Sequence, residues 1–208
     1  TIRWLTVTTF GSHDAIKGEA SRVNRMHKSV SGSYETAAGE TKDYRAADKD
    51  LLLWVHVAFM DSFLRAHQNY VKKPIPGGAD SYVKLWSKSV GPLGLKTVPM
   101  SEAELELTLS DFRDKIAVTD ETKNIIRWIK QAPLPPLAKP VYALLFHSAL
   151  ASMPKEYQKM IGLRSYPLWL LRPVTTNLLR FMRFAIGPDS PIEDAAIERL
   201  KRAGVISR

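Results

Sequence analysis

The most regular alternation of apolar and polar positions runs from Asp48 to Tyr70, DKDLLLWVHVAFMDSFLRAHQNY. At 3.6 residues per turn it winds into one amphipathic helix of about six turns. Leu52, His56, Phe59, Met60, Phe63, His67 and Tyr70 then share a face, while Asp61 and Arg65 point elsewhere. Asp48 is expected to cap the helix, because its carboxylate can accept from an orphan N–H of the first turn. Lys72, Lys73 and Pro74 are expected to close it: cations suit the negative end of the helix dipole, and proline cannot continue a helix.

The same patterning divides the rest of the chain. Thr1–Phe10 is apolar and β-branched, and reads as a strand or as the end of a helix stopped by Gly11. Ser12 caps a helix to about Val30, with Ile16, Ala20, Val23, His27 and Val30 on its stripe, Arg22 on the flank and Arg25 opposite. Ser31–Ala47 is polar and predicts a short hairpin. Pro74–Ala79 is a turn, and Asp80 caps a helix carrying Tyr82, Val83, Trp86 and Val90 up to Gly91-Pro92. Ser101 and Glu104 make a capping box before Leu105, Leu109, Phe112 and Ile116. Thr119 or Asp120 starts a helix that turns Ile125, Ile126 and Ile129 inward. A proline-rich elbow, Ala132–Pro140, leads to the nearly all-apolar Val141–Met153, the expected central helix, which contains His147. Pro154–Gly162 is a short helix, and Pro173 opens one with Leu178, Leu179, Met182 and Ala185/Ile186 on a broad face. Ser190, Pro191 and Glu193 cap a basic amphipathic helix to about Ala203. The sum is all-α: a single domain over residues 1–208 with about eight helices.

Composition narrows the chemistry. There is no cysteine, which removes disulfides, thiolate haem ligation, iron–sulfur clusters and Cys nucleophiles together. The formal charge is +9. The cations concentrate in the last third, where they read as a solvated basic face; no nucleic-acid motif accompanies them, so no nucleic-acid partner is expected. No window reaches the 18 apolar residues of a spanning helix, and no charged-then-apolar leader precedes the first helix, so a cytoplasmic location is expected. Glu-x-x-His, His-Glu-x-x-His, a Gly-rich phosphate loop and a Gly-x-Ser-x-Gly elbow are all missing.

Five histidines remain, at 13, 27, 56, 67 and 147. His56 and His67 are about three turns apart, roughly 16 Å, too far to share one ion. His56 lies near the middle of an apolar face, and two readings stand: a core histidine bonded to a main-chain carbonyl, or an axial ligand to a metal or haem. His27, on its own stripe, has the same two.

Arg22-Val-Asn-Arg-Met-His27, Val30-Ser-Gly32, Tyr44-x-Ala46-x-Asp48, Leu52-Leu-Trp54-Val-His56 and Asp61-Ser62 follow one another in order. Together they resemble the catalytic domain of the MpaB-type/rubber-oxygenase family. Phe10-Gly11-Ser12 looks like that family's upstream segment, and Met153-Pro154 through Ile161-Gly162-Leu163 like its downstream one. The family carries a further N-terminal helical stretch, so this chain is expected to lack part of the family domain. The resemblance implies a globin-like helical core holding haem b, with dioxygen and an apolar, isoprenoid or otherwise unsaturated substrate. In the rubber-cleaving members a histidine ligates iron, and a lysine with a nearby arginine lies across from it. Those positions match His56, Arg25 and Arg22. An arginine stays protonated and does not readily ligate iron, and helical phase places Arg25 away from the apolar stripe, which favours His27 or Arg22 as the distal polar group. Phe59, Met60, Phe63 and the 141–153 helix are expected to wall the cofactor cavity. Two other functions compete: a helical protein that binds an apolar small molecule without chemistry, and a basic nucleic-acid binder using Ser190–Arg208.

Overall fold

In a computed structural model, which describes residues 2–36, 39–187 and 190–207, the chain is all-α apart from one small hairpin. The described residues form ten α-helices. They are α1 (Ile2–Phe10), α2 (His13–Ser29), α3 (Lys49–Tyr70), α4 (Gly78–Ser87), α5 (Glu102–Phe112), α6 (Asp120–Lys130), α7 (Lys139–Ser152), α8 (Lys155–Met160), α9 (Leu168–Ile186) and α10 (Pro191–Arg202). Strands β1 (Ser31–Glu35) and β2 (Thr41–Arg45) pair antiparallel, with Gly32 opposite Tyr44.

Local capping follows the sequence closely. The Ser12, Ser101, Thr119 and Ser190 hydroxyls each accept the amide three residues on, satisfying a first-turn donor. Two caps differ from expectation. The Asp48 side chain turns back to accept the Arg45 amide at 2.8 Å, closing the hairpin rather than the helix. α4 begins ahead of Asp80, behind Gly77, whose φ of 74° lies where a side chain is strained. Asp80 instead accepts the Glu102 amide at 2.8 Å and ties α5 to α4.

The core lies where α3, α4 and α5 meet: Val57, Met60 and Leu64 against Val83, Leu105, Leu109 and Phe112. A second junction is polar, and there α9 caps α3. The last four carbonyls of a helix have no partner within it. Here His67 O takes the Val71 amide at 2.9 Å, Asn69 O and Gln68 O take Arg172 at 2.8 and 3.1 Å, and Tyr70 O takes the Thr176 hydroxyl at 2.9 Å. Alongside, the Tyr70 hydroxyl donates to Ser148 O at 2.6 Å, and the Ser148 and Thr175 hydroxyls bond at 2.6 Å. These buried groups fix α7 and α9 on the end of α3.

Other expectations also shift. α1 is helical rather than a strand. α9 starts at Leu168 and carries Pro173 within it. Of the three isoleucines expected inward on α6, Ile126 and Ile129 line a large cavity and Ile125 is exposed.

Candidate functional site

The stripe of α3 that enters the core is Leu53, Val57, Met60 and Leu64, rotated from the predicted face. It leaves two flanks on nearly opposite sides of the helix. On one lie His56, Phe59 and Phe63; on the other, Leu51, Trp54, Ala58, Ser62 and Arg65.

On the first flank His56 is 5 % exposed. Its Nε2 has no hydrogen-bond partner, and neither has the buried Nε1 of Trp86, whose ring lies 6.4 Å from the imidazole. The Phe63 ring lies 5.5 Å from Trp86 and stacks on Phe59 at 6.1 Å. Phe63 itself is 45 % exposed, so this aromatic wall reaches the surface. Met60, by contrast, is wholly buried in the core, and its carbonyl accepts the Tyr82 hydroxyl at 3.2 Å. Burial lowers the His56 pKa from 6.5 to about 4, so the imidazole is neutral at physiological pH and keeps a free lone pair. Buried polar nitrogens almost always have partners. The unpartnered Nε2 is free to accept a ligand, and the buried Nδ1 atoms of His27 and His147 share its lack of a partner.

α2 supplies the other predicted polar groups. It packs on the 3-10 turn Lys88–Leu93, which continues α4 beyond Trp86. His27 is half-buried, with Nδ1 unpartnered. Arg25 is exposed, as its helical phase predicts. Arg22 is held by Glu19, Nε to Oε2 at 3.0 Å and the terminal nitrogen to Oε1 at 2.5 Å. Arg3 joins the same carboxylate at 2.9 Å. The hydrogen bond from Arg22, helped by the charges of both arginines, holds Glu19 below the usual carboxylate range; the same bond raises Arg22. No hydrogen bond links Arg22 or His27 to His56 among the described residues.

The second flank of α3 lines a mostly apolar cavity of about 1460 Å³. α7, which buries only Ser148, Leu150 and Ala151 rather than most of its surface, forms part of its wall through Leu145, Phe146 and Ala149, and Tyr157 and Met160 of α8 add to it. Phe59, Met60, Phe63 and His56 do not line it; it lies on the other flank of α3. Its charged pair is Asp61–Arg65, with Arg65 Nε at 2.8 Å from both carboxylate oxygens.

Four residues were not singled out as site groups from sequence: Trp86, read only as an apolar position; Glu19, buried though acidic and paired with Arg22; and Asp61 and Arg65, placed off the apolar face but not as a pair. The i,i+3 and i,i+4 spacings of the last two pairs are signals of ion pairing that the sequence does carry. Among the described residues no three His, Asp or Glu side chains gather as a metal cluster, and an axial imidazole needs no such cluster.

Residues 1–186 match the family model described as "ER-bound oxygenase mpaB/B'/Rubber oxygenase, catalytic domain". No curated protein and no solved structure matches.

Proposed function

The chain belongs to the mpaB/rubber-oxygenase catalytic-domain family, and from that premise of an oxygenase-type domain we propose a haem b-dependent oxygenase acting with dioxygen on an apolar, unsaturated substrate. The observation that carries the haem assignment is the buried, unpartnered Nε2 of His56. A neutral imidazole is a usual axial ligand, and the low His56 pKa keeps it in that form. Haem iron, when bound, supplies dioxygen activation for attack on a carbon–carbon double bond. Phe59, Phe63 and Trp86 offer aromatic faces to a flat apolar ring system. Met60 contributes from behind, by fixing the rotation of α3 in the core.

Arg22 and His27 are the proposed distal groups. Glu19 occupies two of the five guanidinium N–H donors of Arg22 and leaves the others to a ligand. His27 has a buried nitrogen without a partner and can hold or give a proton there. A globin-like core belongs to the same proposal.

The test is spectroscopic. Protein produced with haem should show a Soret band and a b-type pyridine haemochrome, and His56→Ala should lose both. An unchanged Soret band in His56→Ala would refute the assignment. A second reading, an apolar-ligand carrier without chemistry, draws support from the cavity on the flank opposite His56. It predicts displacement of a fluorescent fatty-chain probe that Ala58→Trp blocks and His56→Ala does not.

A further inference from the structure

The first half of α9 is turned inside out, and its second half, Leu179 to Ile186, is exposed on every side, with Ile186 at 75 %. An amphipathic helix on a globular domain buries its apolar stripe and exposes its polar one. Here the buried residues are Leu171, Thr175 and Thr176, and the two threonines are bonded to Ser148 and Tyr70. The outward side carries Trp169 at 76 %, Phe181 at 66 % and Phe184 at 85 % exposure, with Leu170 and Val174 between them. At 3.6 residues per turn these five occupy an arc of roughly 140°. Isolated exposed apolar residues are ordinary; an arc of this kind marks a contact surface.

Charge identifies what it contacts. Between Glu156 and Asp189 the sequence holds Lys159, Arg164, Arg172, Arg180 and Arg183 and no acidic residue. Arg172 is committed to the α3 carbonyls, whereas Arg180 and Arg183 are exposed along one edge of the apolar arc. An aromatic face edged by arginines fits the boundary between acyl chains and anionic headgroups: the rings enter, and the guanidinium groups snorkel to the phosphates. A second copy of this +9 chain on a two-fold axis would set the same arginines against each other. No helix among the described residues is long and apolar enough to cross a membrane, so α9 would lie along the surface.

We propose that the outward face of α9, Trp169, Phe181 and Phe184 with Arg180 and Arg183 at its edge, binds the surface of anionic lipid bilayers. The site is separate from His56 and does not depend on the haem assignment.

The test is flotation of the 208-residue chain with vesicles of phosphatidylcholine alone or of phosphatidylcholine with about a third phosphatidylserine. Binding is expected on the anionic vesicles, falling at least tenfold without phosphatidylserine and weakening at high salt. Each cation near such a surface contributes about fivefold, so the charge-reversing pair Arg180→Glu/Arg183→Glu should weaken binding by about 25-fold or more. Phe181→Ser/Phe184→Ser should abolish it. All four substituted side chains are exposed, so melting temperature and far-ultraviolet dichroism should stay at wild-type values. Brominated lipid should quench tryptophan fluorescence in the wild type and lose that effect in Trp169→Phe. Failure of the wild type to float overturns the proposal, as does equal binding by either double variant. So does conversion of a wild-type dimer to monomer by Phe181→Ser/Phe184→Ser without any vesicle binding, which would assign the face to a second copy.

Discussion

Thr176→Val tests whether α9 holds the end of α3. Tyr70 is the last residue of α3, so its carbonyl has no amide one turn on within the helix. The Thr176 hydroxyl donates to it at 2.9 Å, and both residues are 6 % exposed. Valine keeps the volume and replaces the hydroxyl by a methyl. The Tyr70 carbonyl is then buried without a partner, which costs about 1–3 kcal/mol. Thr176→Ser keeps the donor and loses one methyl, about 0.8 kcal/mol at most. Arg172→Met removes two bonds rather than one, yet it should cost less than Thr176→Val. Arg172 and Gln68 are exposed, and water can take over their hydrogen bonds. For a chain of this length each kcal/mol moves the melting temperature by about 2–4 °C. Thr176→Val should therefore melt about 4–8 °C lower at the middle of that range. Urea unfolding and thermal melts followed by circular dichroism read both quantities. The reasoning is wrong if Thr176→Val proves as stable as Thr176→Ser, or if Arg172→Met costs more than Thr176→Val.

Three other outcomes follow from the site and the core. In cofactor-free protein, His56 titrates at about 4 when folded and near 6.5 when unfolded, so the unfolded chain takes up this proton first as the pH falls. Its contribution is complete above about pH 6.5 and declines towards pH 4, by roughly 3 kcal/mol; His56→Phe should lack that decline, and parallel urea-stability curves for the two proteins between pH 7 and 4 would exclude it. Glu19, held low by Arg22 and Arg3, stabilises the fold above the ordinary carboxylate range and loses that effect as the pH drops through its lowered value. Glu19→Gln should melt lower than wild type at pH 7 and lose less on acidification, so an equal melting temperature at pH 7 would remove the Arg3–Glu19–Arg22 link as a support of α2. Leu105→Ala, at a position 1 % exposed between α3 and α4, should cost about 2–5 kcal/mol in urea unfolding, and a cost below 1 kcal/mol would mean the core closes over the gap.

Much of the fold was legible because its signals are local. Ser12, Ser101, Thr119 and Ser190 announce helix starts, and the all-α class follows from the periodicity between them. The rotation of α3 was not legible. Its first half is apolar nearly all round, so Leu52 and Leu53, or His56 and Val57, compete for the core on equal terms until α4 and α5 pack against one side. That choice also decides the site. His56 could be singled out from sequence as an imidazole on a greasy face, but the missing partner for its Nε2 and the company of Trp86 depend on how α4 crosses α3. The cavity has no sequence signal, because α3, α7 and α8 create it only by standing apart. Asp48 and Asp80 misled for a related reason: each had a helix to cap but took another amide, Asp48 that of Arg45 three residues back and Asp80 that of Glu102 across the fold.

The cap that α9 places on α3 also sets an order of events during synthesis. Thr176 meets Tyr70 across 106 residues of chain. A ribosome adding about 5–20 residues per second needs roughly 5–20 s to bridge that gap. Until then the final turn of α3 has only water for its carbonyls, and Tyr70 has no Ser148 carbonyl beside it. The helix bearing His56 can wind early, but its end lacks these partners on the nascent chain until Ser148 and Thr176 have emerged.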